Sequence, residues 1–148
     1  MAEPHLTPPG AVDRIFNRVF SWFVARGLAP ANFYMLDVRG RKTGKIYSTP
    51  VDLLRFGERD YLVAPRGNTQ WVRNARASGE VILRQGKKSE HWLLSEVADG
   101  AKPTILKSYL DTYSGQVQRF FPVRAGSPPE AFVPLVCRYP CFEIRRAS

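Results

Sequence analysis

The chain is poor in the residues that most often carry chemistry by themselves. It has two cysteines, Cys137 and Cys141, and two histidines, His5 and His91, in 148 residues. A metal site usually needs about four such ligands. The cysteines stand close together near the C-terminus and read as reduced structural thiols. Neither histidine has a nucleophile beside it, and His91, between Glu90 and Trp92, reads as a surface residue. No pair of acids has the setting of a glycosidase site. What remains is an enzyme whose cofactor carries the reaction, or no enzyme at all.

Long apolar runs are missing too, and none approaches the ~20 residues of a membrane span. The opening Met1-Ala2-Glu3-Pro4-His5 lacks the basic start and apolar core of a signal peptide, so the expected compartment is the cytoplasm. Acid is scarce relative to base: 13 Asp and Glu against 22 Lys and Arg leave a formal charge of +9. That excess fits an anionic partner or a soluble basic surface. Nucleic acid, an anionic membrane and a phosphorylated cofactor all satisfy it.

What is present is a core. Hydrophobic residues make up 44% and aromatics 12%, which suits a globular domain. A chain of this length buries roughly two thirds of its unfolded surface and needs no staple. Residues 1–10 hold three prolines without periodicity and read as a loose arm, leaving 11–148 as one domain. Val12, Ile15, Phe16, Val19, Phe20 and Phe23 mark an amphipathic helix over 12–25, ended by Gly27 and Pro30. It packs over the sheet or, with Arg14, Arg18 and Arg26, makes a peripheral membrane contact.

Strands are predicted at Phe33–Val38, Tyr47–Phe56 and Tyr61–Ala64, with Pro50 implying an edge or a bulge. A short helix follows over Gln70–Ser78. A hairpin around Gly86-Lys87 joins Val81–Arg84 to Trp92–Val97. A second amphipathic helix runs from Pro103 to about Tyr113, then 114–129 is irregular. A short helix at Pro129–Val136 and a closing strand at Cys141–Ile144 complete the chain. Short turns between about six strands argue for an antiparallel barrel or curved sheet, an α+β fold.

Two segments stand out. Arg39-Gly40-Arg41-Lys42-Thr43-Gly44-Lys45 puts four cations and two glycines between two strands. Cations and free backbone N–H groups together cradle anions, most often phosphate. It is not a Walker loop: three residues separate Gly40 from Gly44, and Ile46 follows Lys45. A solvated basic turn is the plain alternative. Gln70-Trp71-Val72-Arg73-Asn74-Ala75-Arg76 adds cations, an indole and an amide, with Trp71 and Asn74 on one helical face. Its plain reading makes Trp71 core and the arginines surface.

Taken in order, Gly40-Arg41-Lys42-Thr43-Gly44, Thr49-Pro50, Tyr61-Leu62-Val63-Ala64, Trp71-Val72-Arg73-Asn74 and Pro140-Cys141-Phe142-Glu143-Ile144 resemble the deazaflavin-dependent nitroreductase family, also described as coenzyme F-420-dependent quinone reductases. The resemblance covers about residues 12–146. It implies a split β-barrel with an N-terminal helix and peripheral helices, and coenzyme F-420 rather than FMN as cofactor. By the same resemblance Arg41, Lys42 and Thr43 would meet the cofactor's phosphate and acidic tail. Tyr47, Ser48, Thr49 and Pro50 would line the groove, and Val63, Ala64, Pro65 and Arg66 would run beside the ring. Gln70, Trp71, Val72, Arg73 and Asn74 would close the phosphate end.

The family's nitroimidazole-activating members have Ser and Lys where this chain has Pro65 and Arg66. The reaction implied is hydride transfer to an electron-poor small molecule such as a quinone, enone or nitroaromatic. Tyr113, matching one of the family's aromatic positions at a helix end, is expected on the substrate side, with the proton coming from it or from solvent; a partly buried structural tyrosine is the plain alternative. Two other classes stay open on the sequence: a non-catalytic carrier of a lipid or flavin-like ligand on the same fold, and a basic nucleic-acid-binding domain. The second lacks any recognisable reading motif.

Overall fold

The computed structural model describes residues 32–147. The helix expected over 12–25 and the arm at 1–10 lie outside the described residues. Six strands form the fold: β1 (Phe33–Arg39), β2 (Ile46–Phe56), β3 (Arg59–Val63), β4 (Glu80–Gln85), β5 (Lys88–Glu96) and β6 (Cys141–Arg146). All pair antiparallel, in the closed order β1-β2-β3-β6-β5-β4, as the short turns require. Among the described residues two helices, α1 (Gln70–Ser78) and α2 (Lys102–Val117), and three 3-10 segments, Asp99–Ala101, Gln118–Phe120 and Pro129–Arg138, accompany them.

Two apolar cores follow from strand alternation. Leu36, Val38, Val51, Leu53, Leu62, Leu83, Trp92 and Phe142 fill the barrel, and α1 adds Val72 and Ala75 to them. Outside the barrel, Leu54, Tyr61 and Val63 meet Ile105, Leu106, Tyr109 and Leu110 of α2. Phe132 and Leu135 from the last 3-10 segment seal that layer.

The barrel is split along one seam. β2 pairs with β1 from Ile46 to Asp52, but with β3 only from Leu53 to Phe56. Over Ile46–Asp52 no described strand pairs with the second edge of β2. Pro50 falls in this half-edge, the kind of position a residue without an N–H favours. β3 leaves β2 after Leu62 but stays paired with β6 to Val63 opposite Cys141, and Ala64 N–H donates to the Pro140 carbonyl at 2.9 Å. The seam between these two departures is where the cavities open.

The second amphipathic helix breaks near its expected end: Tyr113 leaves helical geometry (φ −115°, ψ 26°), and 114–117, read as irregular, form a further helical piece of α2 across that kink. Among the described residues, no helix is long and apolar enough to cross a membrane.

Candidate functional site at the barrel seam

The basic loop is built by its own backbone. Gly40 N–H donates to the Lys45 carbonyl at 2.6 Å and Gly44 N–H to the Gly40 carbonyl at 3.0 Å. Gly44 takes φ +78°, a conformation other residues adopt only at a cost. Arg39 Nη1 donates to the Gly44 carbonyl at 3.1 Å, and Lys45 N–H to Thr43 Oγ1 at 3.2 Å.

One helix then fixes the loop in space. The Arg41 N–H donates to Asn74 Oδ1 at 3.0 Å, and Arg41 Nη1 to the same oxygen at 2.8 Å and to Gln70 Oε1 at 2.9 Å. Asn74 is only 3% exposed, so this amide is a buried anchor rather than a surface contact. The two segments that stood apart in sequence thus form one wall. No described acid pairs with Arg39, Arg41, Lys42 or Lys45.

A cavity of about 650 Å³ opens against this wall, lined by Gly40, Arg41, Lys42, Thr43, Tyr47, Ser48, Thr49, Thr69, Gln70, Trp71 and Asn74. Gly40 is held free of a side chain: a Cβ there would sit 2.6 Å from the Tyr47 ring. A second cavity of about 370 Å³ adjoins it and shares Thr49, Thr69 and Trp71. Its other walls are Phe33, Pro50, Val51, Asp52, Val63, Pro65 and Arg66, with Tyr109, Gln116, Val117, Arg119 and Phe120 from the α2 side. The guanidinium groups of Arg66 and Arg119 lie over the Phe120 ring at 5.6 and 4.8 Å. Thr69 Oγ1, at the boundary of the two cavities, is buried and has no hydrogen-bond partner among the described residues. It stands at the cap position of α1 but makes no cap bond.

Most of the expected site residues meet here. Arg41, Lys42, Thr43, Tyr47, Ser48, Thr49, Gln70, Trp71 and Asn74 line the first cavity, and Pro50, Val63, Pro65 and Arg66 the second. Three do not. Val72 and Ala64 are buried in the barrel core, and Arg73 is exposed and lines neither cavity.

Tyr113 is corrected as well. It is 7% exposed, its ring packs 5.5 Å from that of Tyr109, and its hydroxyl donates to the Leu53 carbonyl at 2.5 Å. Burial pushes this phenol up to about 12, offset in part by a hydrogen bond with Asn32. Tyr113 stands at the break in α2, but its ring lies in the core between helix and barrel and lines neither cavity.

Sequence reading missed Thr69 and Asp52. Thr69 carried a signal, a Thr just before a helix, but it points to capping, which the hydroxyl does not do. Asp52 also carried one, a lone acid in the apolar strand segment Val51-Asp52-Leu53-Leu54. Burial pushes its carboxyl up to about 6.

Cys141 is buried, with its thiol pushed up to about 12 by burial, and Cys137 is exposed; both are free. His91 Nε2 contacts Glu80 Oε1 across the exposed β4–β5 face.

A split barrel carrying a cation-rimmed cavity beside an aromatic one is the architecture expected of a deazaflavin-binding oxidoreductase. A family model described as F420H(2)-dependent quinone reductase matches residues 14–124, and the chain belongs to that family. It is thus an oxidoreductase of the coenzyme F-420-dependent kind. Among curated proteins none matches.

Solved structures share the fold at low identity. An F420-H2-dependent reductase, FDR-A, is 16% identical with TM-score 0.51, covering 78% of this chain and 95% of that one. A protein of unknown function from Agrobacterium tumefaciens is 15% identical with TM-score 0.55, over 99% and 60%. A putative pyridoxamine 5'-phosphate oxidase from Listeria innocua is 11% identical with TM-score 0.53, over 88% and 94%.

Proposed function

We propose that the chain binds reduced coenzyme F-420 in the first cavity and passes its hydride to an electron-poor acceptor, a quinone, enone or nitroaromatic, held in the second. One observation supports this reading above the others: two adjoining cavities share Thr49, Thr69 and Trp71 and differ in chemistry, one cationic and one aromatic. When bound, the cofactor supplies a hydride from its central ring. The protein supplies position and electrostatics.

The residues present suit that group. Coenzyme F-420 carries a phosphodiester and a glutamate tail, for which Arg41 and Lys42 are the charge complement. Thr69 Oγ1 is a buried hydroxyl still free to bond a ligand. Trp71 and Tyr47 offer aromatic walls for a planar ring, with Tyr47 48% exposed on the open side. Arg41 is pre-positioned by Asn74 and Gln70, so little side-chain freedom is lost on binding.

Pro65 favours a second reading, ligand carriage without turnover, because it offers the acceptor no donor. Titration with coenzyme F-420 against FMN, followed by oxidation of the reduced cofactor by menadione, separates the two. Binding without turnover leaves a carrier; binding with turnover makes an enzyme.

A further inference from the structure

Asp52 is the sole acid lining either cavity among the described residues. It sits opposite Phe33 in the β1–β2 register, between Val51 and Leu53, which point into the barrel. Its side chain therefore faces outward into the second cavity. The polar and charged groups around it are Tyr109, Tyr113 and Gln116 of α2, Arg66 after β3, Arg119 after α2, and the hydroxyls of Thr49 and Thr69. None pairs with it. The two arginines lie over Phe120, and Tyr113 gives its hydroxyl to Leu53. A carboxyl so placed, without counter-ion or donor among the described residues, favours its protonated form. Protonated, it is a hydrogen-bond donor aimed at a bound molecule.

We propose that Asp52 is a catalytic acid, donating a hydrogen bond and then its proton to the oxygen of a carbonyl or quinone acceptor in the second cavity. This rests on the proposed function, which names the reductant. The acceptor gains the hydride, two electrons and one hydrogen. The Asp52 Oδ–H bond breaks as an O–H bond forms on the acceptor oxygen, and water reprotonates the carboxylate. Burial holds the carboxyl near 6, close to working pH, where a general acid is most effective. The donor that Pro65 cannot supply thus comes from the facing strand.

Two measurements on the full chain test this. The first is equilibrium dialysis of menadione against the cofactor-free protein at about pH 5 and about pH 8. Wild type should bind about tenfold or more tighter at the lower pH, because only the protonated acid donates. Asp52→Asn should bind with no pH dependence, its amide N–H replacing the acid. The second is turnover with reduced coenzyme F-420, where Asp52→Asn should lower kcat by about a hundredfold with the menadione KM little changed. Asp52→Ser serves the same purpose should the Asn variant misfold.

Wild-type kcat in either variant overturns the proposal. So does menadione affinity that ignores pH, or no menadione binding at all. A chain that binds no coenzyme F-420 overturns the proposed function instead, and the dialysis then still decides whether Asp52 bonds the acceptor.

Discussion

Arg41 and Lys42 are neighbours with different work. Lys42 lines the first cavity and has no hydrogen-bond or ion-pair partner among the described residues. Arg41 holds both Gln70 and the buried Asn74. Lys42→Ala should weaken coenzyme F-420 binding by ~1.5–3 kcal/mol, the range for a hydrogen bond to a charged group, and leave the melting temperature alone. Arg41→Ala should weaken binding similarly and also destabilise the fold by ~1 kcal/mol or more, because Asn74 Oδ1 loses a donor in a buried setting. A basic loop that is only a solvated turn would show neither effect, and binding titrations beside thermal melts distinguish the cases. Sequence alone treats the two cations alike, since the anchor is 33 residues away.

Asp52 makes a second residue-scale prediction, with its sign set by linkage. Its carboxyl titrates near 6 in the folded chain against an ordinary value of 3.8. Between those values the folded state holds more protons than the unfolded state, so stability falls as pH rises through this window. Above the folded value the full penalty remains, of order 1–3 kcal/mol, given that the site is partly open to water. Asp52→Asn should therefore be more stable than wild type at about pH 7–8, and the gain should vanish below about pH 4. Denaturant melts across pH read this directly, and a variant less stable than wild type at neutral pH would contradict it. A stabilising substitution that slows turnover is the trade-off expected of a strained functional group.

At the scale of elements, α1 is the best-read piece of the chain. Its bounds, Gln70–Ser78, follow from the helical spacing and from Gly79, which takes φ +77° at the C-cap. β2 was equally legible, including the meaning of Pro50. The seam itself was not, because it depends on where β2 and β3 stop pairing, and alternation along each strand is the same on both sides of that point. The end expected near Tyr113 corresponds to the break in α2, where the backbone leaves helical geometry, and 114–117 add a short helical piece beyond it. What the sequence did not show is that Tyr113 at this break turns into the outer core.

The corrected position makes a different prediction. Tyr113→Phe removes the hydroxyl that joins α2 to the Leu53 carbonyl of β2. It should cost ~1–2 kcal/mol of stability by leaving that carbonyl unpaired, and change kcat by less than about twofold. A tenfold loss of kcat at unchanged stability would restore the proton-donor role to Tyr113 and remove it from Asp52.

Over the whole molecule, the positive excess is not evenly spread. Away from the loop many arginines are paired: Arg55 with Asp60, Arg59 with Glu143, Arg76 with Glu96, Arg84 with Asp37 and Arg146 with Glu90. The cations of residues 39–45 meet no described acid, and two of them, Arg41 and Lys42, line the first cavity. The fold class was legible from short turns and strand count. The division of the groove into a cationic half and an acid-bearing aromatic half was not, because it joins residues from β1, β2, α1, α2 and the chain after β3.

The most direct test of this account is a fluorescence titration of the full chain with coenzyme F-420 and, in parallel, with FMN, repeated on Lys42→Ala. Selective binding of coenzyme F-420 at micromolar affinity or tighter is the expected result, with FMN weaker and with the Lys42→Ala curve shifted about tenfold or more to higher concentration. FMN binding as tightly as coenzyme F-420, or a Lys42→Ala curve that overlays wild type, would contradict the assignment of the cationic cavity to the deazaflavin.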